Sequence, residues 1–250
     1  MTNNMSVKDN LLIQLLLIIL LIAGSTLRLY NLDHRPMHGD EAVNAAKLNQ
    51  LMQSGHFHYD PADYHGPLLF YCSWPLAKLG GKSDWRQLTE QNLRLVTALF
   101  GLLLLLLPFL LKPFLSERQL LLIVFFLAFS PPLIFYNRYY IHESLFIFWP
   151  YLTLFLFLRA WLAHKASFYF WAGVGLAMAM ATKETWPLFL FSLLLALGLL
   201  KISGRLNVQK VDWFSLKKIL LFLTGLLLPL FFIFSDFGRN WNGLQQFLVS

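Results

Sequence analysis

The stretch LLIQLLLIILLIAGSTLRLYNLDHRPMHGDEA, residues 11–42, joins a long apolar run directly to a polar segment. A helix of about 20 apolar residues is long enough to cross the hydrocarbon core of a bilayer, so residues 11–32 are predicted to form a membrane span. Two histidines, an arginine and the adjacent acids Asp40 and Glu41 follow at once. Ionisable groups at a membrane boundary are costly unless they pair, meet water or bind a ligand, so this segment is a candidate site.

The composition places the rest of the chain in the membrane as well. Of its 250 residues, 57% are hydrophobic and only 13% are charged, which is too apolar for an ordinary soluble domain. The apolar runs leave no stretch long enough for a separate water-soluble core, so residues 1–250 are predicted to form a single membrane domain. The formal charge of +7 is scattered between apolar runs, which argues against a nucleic-acid partner. Cys72 is the only cysteine, which excludes an intrachain disulfide.

The apolar runs predict an all-α fold, a polytopic bundle of about seven transmembrane helices. Residues 66–80 are too short to cross and contain a proline, so they are predicted to lie at the interface within a long first external loop, 33–93. With a cytoplasmic amino terminus, the short external connections hold only Arg138, Lys183 and Arg239, and the positive-inside rule is satisfied. The predicted spans are 11–32, 94–111, 119–136, 144–159, 168–182, 186–200 and 218–235.

On this topology, polar clusters next to span ends all emerge on the external or periplasmic face of the cell membrane. They are HGDEA (38–42), YHGP (64–67), NRYYIHE (137–143) and ATKE (181–184). A convergent set of ionisable groups beside lipid is a site hypothesis by default. We therefore expect the active site on this face.

Asp40 and Glu41 begin the segment DEAVNAAKLNQLMQSG, which is typical of an amphipathic helix on the membrane surface. One interpretation is that both acids only complement the helix dipole. Neighbouring helical residues point about 100° apart, however, so one carboxylate can face a substrate while the other orients the helix. We expect Asp40 to have the chemical role, with Glu41 beside it in the catalytic pair.

The other clusters supply candidates for substrate binding. Arg138 could also be an ordinary interfacial arginine in a belt of tyrosines, and Lys183 with Glu184 could be a self-neutralising turn. Together with the acidic pair, these cations and carboxylates form the set needed to hold a phosphate and to deprotonate a hydroxyl. The interfacial segment is expected to carry two further residues to the site. The predicted substrate-binding residues are Arg138, Glu143, Lys183, Glu184, His65 and Tyr64.

Histidines are concentrated in the first external loop, but they form no strong metal motif. The pairs His38-x-Asp40 and His56-x-His58 could bind a divalent cation, with His38 as the candidate ligand, although neither spacing matches a known metal signature. No cofactor is therefore predicted beyond a possible divalent cation. The chain contains no G-x-G-x-x-G, P-loop, H-E-x-x-H or G-x-S-x-G motif, which leaves nucleotide and serine-hydrolase chemistry without support. An external enzyme has no nucleotide pool, so its activated donor is expected to be carried by a membrane lipid.

Four stretches carry a family resemblance: HRPMHGDEA, LRLVTALFGLLLLLLPFLL, FSPPLIFYNRYYIHESLFIF and ATKE. In this order they resemble the integral membrane glycosyltransferases of the GT-C fold, in the protein O-mannosyltransferase and aminoarabinose transferase-like branch. RPMHGDEA followed by YDPADYHGPLLFY more narrowly resembles the subfamily named for a flippase-associated protein of archaeal N-glycosylation.

The resemblance implies a polyprenyl-phosphate sugar as donor and an inverting transfer to a hydroxyl of a glycan, lipid or protein acceptor. It implies that Asp40 is the acidic residue at the reaction centre. It also implies that Arg138 and Lys183 lie near the donor phosphate, and that Glu143 is a second-loop acid. Relatives usually continue through more spans, so the chain is expected to be an amino-terminal fragment or a minimal module. Two alternatives stay open, a lipid-linked-sugar flippase and a catalytically silent partner of a larger assembly.

Overall fold

The computed structural model describes residues 7–60, 65–82, 84–204 and 215–249, and within these ranges the only regular elements are helices. The all-α prediction is confirmed. The α-helices are α1 (Val7–Leu29), α2 (Gly39–Ser54), α3 (Leu68–Leu79), α4 (Glu90–Leu106), α5 (Glu117–Phe129), α6 (Pro131–Tyr136), α7 (Glu143–Ala163), α8 (Ser167–Met180), α9 (Trp186–Ile202), α10 (Leu216–Phe234) and α11 (Trp241–Val249). Short 3₁₀ segments cover Trp85–Gln87 and Leu107–Phe114.

Each of the seven predicted spans coincides with one helix or with two consecutive helices. By length and composition, four helical stretches of the described residues could cross a membrane: Asn10–Leu29, Glu90–Phe114, Glu143–Ala163 and Leu216–Phe234. Two further apolar helices, Ser167–Met180 and Trp186–Ile202, are shorter. The predicted interfacial segment forms α3, whose 12 residues span about 18 Å and fall short of a crossing.

The predicted span 119–136 is divided by a proline pair. Helix α5 ends at Phe129 and α6 begins at Pro131, with Ser130 in an extended conformation between them. Prolines disfavour helical geometry in the preceding residue and have no N–H, so Pro131 and Pro132 leave the carbonyls of Leu127 and Ala128 without their usual helical donors. The hydropathy pattern alone did not show this break.

The fully buried Arg28 of α1 supplies the missing donors. Its guanidinium donates to Ala128 O at 3.2 Å and to Leu127 O at 2.8 Å, and also to Gly24 O within its own helix at 2.9 Å. Buried carbonyls without partners are costly, so this arginine joins the end of α5 to α1.

The chain divides into two compact units, residues 1–52 with 72–144 and residues 53–71 with 145–250. In unit 1, α1 packs against α4 and α5. Its apolar core includes Ile13 and Leu17 of α1 against Leu120 and Val124 of α5. These residues recur at helical spacing, which is why the two helices share a continuous apolar seam.

In unit 2, α8 packs against α10 through glycines. A Cβ added at Gly225 would meet the carbonyl oxygen of Phe170, and one added at Gly173 would meet that of Phe222. Small residues let helix backbones approach closely, which is the usual basis of helix association in a membrane. At one end of α8, Leu68 N–H donates to Ala181 O at 3.0 Å and connects the start of α3 to this pair.

Gly225→Ala should lower the thermal unfolding midpoint of the detergent-purified protein, because its methyl group has no space against the backbone of α8. Overpacking of this kind costs about 1–3 kcal/mol. The control is Gly198→Ala in α9, where an added Cβ meets nothing within 4 Å. Equal midpoints for the two variants would contradict the packing described for α8 and α10.

Candidate active site

The two acids in the first turn of α2 point to different surroundings. The side chain of Asp40 is 76% exposed, whereas that of Glu41 is 1% exposed. This difference in exposure follows from helix geometry, because consecutive residues of a helix are rotated by about 100°. The accessible carboxylate is therefore Asp40, and Glu41 is turned into unit 1.

Glu41 accepts hydrogen bonds from two other parts of unit 1 and from its own loop. Arg94 donates through Nε at 2.7 Å and through Nη2 at 2.8 Å, and the backbone N–H groups of Tyr140 and His38 donate at 2.8 and 2.9 Å. Burial raises the pKa of Glu41, but the hydrogen bonds from Arg94, His38 and Tyr140 together outweigh it, so the pKa lies below its ordinary value. Glu41 is thus an anion at neutral pH.

Arg94 uses its whole guanidinium to hold the loop that leads to Asp40. Besides the two bonds to Glu41, it donates to Leu32 O at 2.7 Å, to Arg35 O at 2.9 Å and to Pro36 O at 3.2 Å. These five bonds account for all five N–H donors of an arginine. A buried charge is tolerated only when it is paired and fully hydrogen-bonded, and Arg94 meets both conditions.

The turn between α6 and α7 contacts α2 through Tyr140. Its backbone accepts from Asn44 Nδ2 at 2.9 Å, and its buried hydroxyl donates to Ser73 at 2.8 Å. Together with the bond from Tyr140 N–H to Glu41, these contacts fix the turn on the start of α2. The adjacent Tyr139 is only partly buried.

The predicted phosphate residue Arg138 lies in this turn, where it caps α1. It donates to Leu27 O at 2.9 Å, to Tyr30 O at 2.7 Å and to Asn31 O at 3.2 Å. Burial, and then the charges of Arg35 and Arg94, lower the pKa of Arg138 below the ordinary arginine value. Arginine nevertheless stays protonated, so Arg138 keeps a positive charge near the loop, although three of its N–H donors are used by backbone carbonyls.

His38 directly precedes α2, and its exposed side chain lies beside that of Asp40. Its Nδ1 is 3.6 Å from Asp40 Oδ2 and accepts from Asp40 N–H at 3.3 Å. Among the described residues, no group of three or more His, Cys, Asp or Glu side chains is placed to hold a metal ion. Glu143 is half-buried in the first turn of α7.

Unit 2 contains the other predicted substrate-binding residues. His65 Nδ1 lies 2.8 Å from Glu184 Oε2, and Lys183 occupies the same turn between α8 and α9. Burial raises the pKa of Glu184. Hydrogen bonds from its own backbone N–H and from His65 together lower the pKa by more, so it lies below its ordinary value. Tyr64 is outside the described residues.

A family comparison identifies the chain. The family model for dolichyl-phosphate-mannose-protein mannosyltransferase matches residues 18–236. The chain belongs to this family. The GT-C resemblance to the protein O-mannosyltransferase branch is therefore confirmed, and with the apolar helices it indicates a multi-pass membrane protein. The narrower archaeal subfamily stays a prediction.

A solved structure shows the same fold in another member of this mannosyltransferase group. The chain is similar to the S. cerevisiae protein O-mannosyltransferase Pmt1–Pmt2 complex bound to the sugar donor, with a TM-score of 0.65 and 20% sequence identity. The match covers 93% of this chain and 34% of that one, so the chain spans about a third of the yeast protein's length. A search of curated proteins found no match.

Two polar groups in this mannosyltransferase-family chain were not predicted from sequence. Arg94 is the first residue of the predicted span 94–111. The one feature of the sequence that could have marked it as functional is that it is the only cation in that span. Asp236, in the turn after α10, is buried and accepts from Tyr71 Oη at 2.8 Å, and it lies 2.8 Å from His56 Nδ1. In the same unit, His58 Nδ1 is 3.5 Å from Asn240 Nδ2, so His56 and His58, whose spacing only allowed a cation site, each have a protein partner.

Glu41→Gln should destabilise unit 1 strongly, because it leaves the Arg94 guanidinium buried without a counter-charge. Losing one partner of a buried ion pair costs about 3–5 kcal/mol. The control is Lys112→Gln, which breaks the more exposed Lys112–Glu117 pair at 3.4 Å and should cost at most about 1 kcal/mol. Denaturation midpoints of the purified variants compare the two, and similar values would refute the structural role of Glu41.

Proposed function

We propose that the chain takes part in the transfer of a sugar from a polyprenyl-phosphate donor to an acceptor hydroxyl, with Asp40 as the general base. The observation that carries this proposal is the division of labour in the acidic pair, in which Glu41 is buried against Arg94 and Asp40 is exposed on the same helical turn. A base must be accessible to its substrate, and it must be held in a fixed position. Asp40 is accessible, and its backbone position is fixed by the bonds of the adjacent Glu41.

The family supports the donor class. Its members are described as using dolichyl-phosphate-mannose to modify protein, and the yeast complex was solved with the sugar donor bound. We propose a polyprenyl-phosphate hexose, with mannose as the first candidate, and a protein hydroxyl as the first candidate acceptor. Glycan and lipid acceptors, and a pentose as the sugar, are the remaining options.

The proposed reaction is a single displacement at the anomeric carbon. The acceptor oxygen forms a bond to that carbon as the bond to the phosphate oxygen breaks, and the hydroxyl proton passes to Asp40. Negative charge develops on the departing polyprenyl phosphate. Fixed cations that meet this charge stabilise the transition state more than the ground state. In unit 1, Arg138 provides such a charge beside the loop, and Glu143 is a further proposed substrate contact.

In unit 2, Lys183, Glu184 and His65 keep the proposed role of binding substrate. His65 Nδ1 lies 2.8 Å from Glu184 Oε2, and the charge of Lys183 in the same turn also acts on Glu184. A lysine ammonium binds a phosphate as a point charge, which suits a diester oxygen.

Asp40→Asn should reduce sugar transfer by about 10²- to 10⁴-fold, the usual contribution of a general base. The assay uses the protein in lipid nanodiscs with polyprenyl-phosphate mannose and a Ser/Thr peptide, and it measures mannosylated peptide. Because Asp40 is exposed, the thermal unfolding midpoint of the Asp40→Asn protein should equal that of the wild type. Asp33→Asn, an exposed acid in the same loop, is the matched control and should keep full activity.

Near wild-type transfer by Asp40→Asn would exclude Asp40 as the base. If the wild type instead moved the lipid-linked sugar across vesicles without forming product, the flippase alternative would replace the transferase.

The external location of the loops is also a proposal, based on the distribution of Lys and Arg. In a chain with Cys72 replaced by Ser, single cysteines at Asp33 and Thr185 should react with a membrane-impermeant maleimide in intact cells. Cysteines at Arg118 and Lys165 should react only after permeabilisation. Labelling of Asp33→Cys and Thr185→Cys from opposite sides would contradict the proposed topology.

A further inference from the structure

Arg35, between α1 and α2, is held in a fixed orientation by an aromatic surface. Its guanidinium carbon lies 4.2 Å from the centre of the Tyr139 ring and 5.6 Å from that of Phe135. Its Nη1 donates to Tyr139 Oη at 2.9 Å. Two cation–π contacts and one hydrogen bond therefore hold a side chain that is only half-buried.

Hydrogen bonding separates Arg35 from the two arginines near it. Arg94 uses all five N–H donors on Glu41 and backbone carbonyls, and Arg138 uses three contacts on the carbonyls that end α1. Within the described part of the chain, Arg35 makes one side-chain hydrogen bond. Arg35 is thus the member of this group with most of its fork open to a ligand.

The local charge favours an anion. The charges of Arg35 and Arg94 both act on Arg138, where they add to burial in lowering its pKa. Glu41 is the buried carboxylate that offsets this group, and it is bound to Arg94. Asp33 and Asp40 are exposed acids of the same segment, but among the described residues neither Arg35 nor Arg138 forms an ion pair with a carboxylate, so both keep a positive charge that attracts anions.

The Tyr139 ring also contacts His38, the neighbour of the proposed base Asp40. The His38 ring meets the Tyr139 ring edge-on with centroids 6.2 Å apart, and His38 Nδ1 is 3.6 Å from Asp40 Oδ2. Tyr139 therefore carries the open guanidinium of Arg35 and supports the His38–Asp40 pair. The cation and the carboxylate lie on one surface of unit 1.

We infer that Arg35 binds the phosphate of the polyprenyl-phosphate donor through its free N–H groups. This inference rests on the proposed function, and it adds a direct phosphate contact to the residues expected from sequence. Arg138 then supplies positive potential while it caps α1. The phosphate of a bulk anionic phospholipid has the same chemistry, so the experiment separates these two sources.

The test compares two ligands on variants in phosphatidylcholine nanodiscs. Binding of a polyprenyl monophosphate and of the matching uncharged polyprenol is measured for wild type, Arg35→Gln and Arg86→Gln. Arg86 is an exposed arginine of the same loop and provides the same charge change. Arg35→Gln should bind the phosphate about 10- to 100-fold more weakly, as expected for charge-assisted hydrogen bonds, and the polyprenol as wild type does. Arg86→Gln should match wild type for both ligands.

Arg35→Lys keeps the charge without the planar fork and should give an intermediate, phosphate-specific loss, so it serves if Arg35→Gln does not fold. Unchanged phosphate binding in Arg35→Gln, or an equal loss for both ligands, would overturn the inference while leaving the transferase proposal standing. Displacement of the polyprenyl phosphate by equimolar phosphatidylglycerol would also overturn it, in favour of a bulk lipid site. Wild type that binds no polyprenyl phosphate would overturn both.

Discussion

The buried ion pair between Arg94 and Glu41 is the constraint on which the rest of the site depends. A charge placed at a membrane boundary and removed from water is stable only if every donor is satisfied. Arg94 reaches that state by binding three loop carbonyls together with Glu41, and these bonds hold the loop after α1 in place. The exposed Asp40 obtains its position from its neighbour's burial.

The sequence predicted the helices well because hydropathy is a local property. Runs such as α1 and α10 are apolar over a full membrane thickness, and no tertiary information is needed to recognise them. The helix break at Pro131 can also be predicted from local sequence, but the partner of the freed carbonyls cannot. The carbonyls that the prolines leave free are satisfied by Arg28, about a hundred residues earlier, and such a pairing depends on how α1 packs against α5.

The same distinction explains the site. The acidic pair was recognisable because two adjacent acids follow a span, and helix geometry required them to diverge. The partner of Glu41 was not recognisable, since Arg94 looks like an ordinary cation at a span end until α4 is placed beside α2. Asp236 was missed for a related reason: its partners His56 and Tyr71 are distant in sequence, and no spacing rule connects them.

Two pairs of adjacent residues in unit 1 each direct one side chain inward and one outward, and one hydrogen bond joins the two pairs. In Asp40–Glu41 the second residue turns inward and the first outward. In Tyr139–Tyr140 the second is fully buried, and the first is left at the surface beneath Arg35. The bond from Tyr140 N–H to Glu41 joins the two inward residues at 2.8 Å. Asp40 and Tyr139 are the chain neighbours of the two bonded residues. The bond therefore fixes the position of the Asp40 backbone relative to that of Tyr139. The proposed transfer takes a proton from the acceptor hydroxyl and releases phosphate from the donor, so it needs a base and an anion-binding surface at a constant separation, and this shared anchor would provide one.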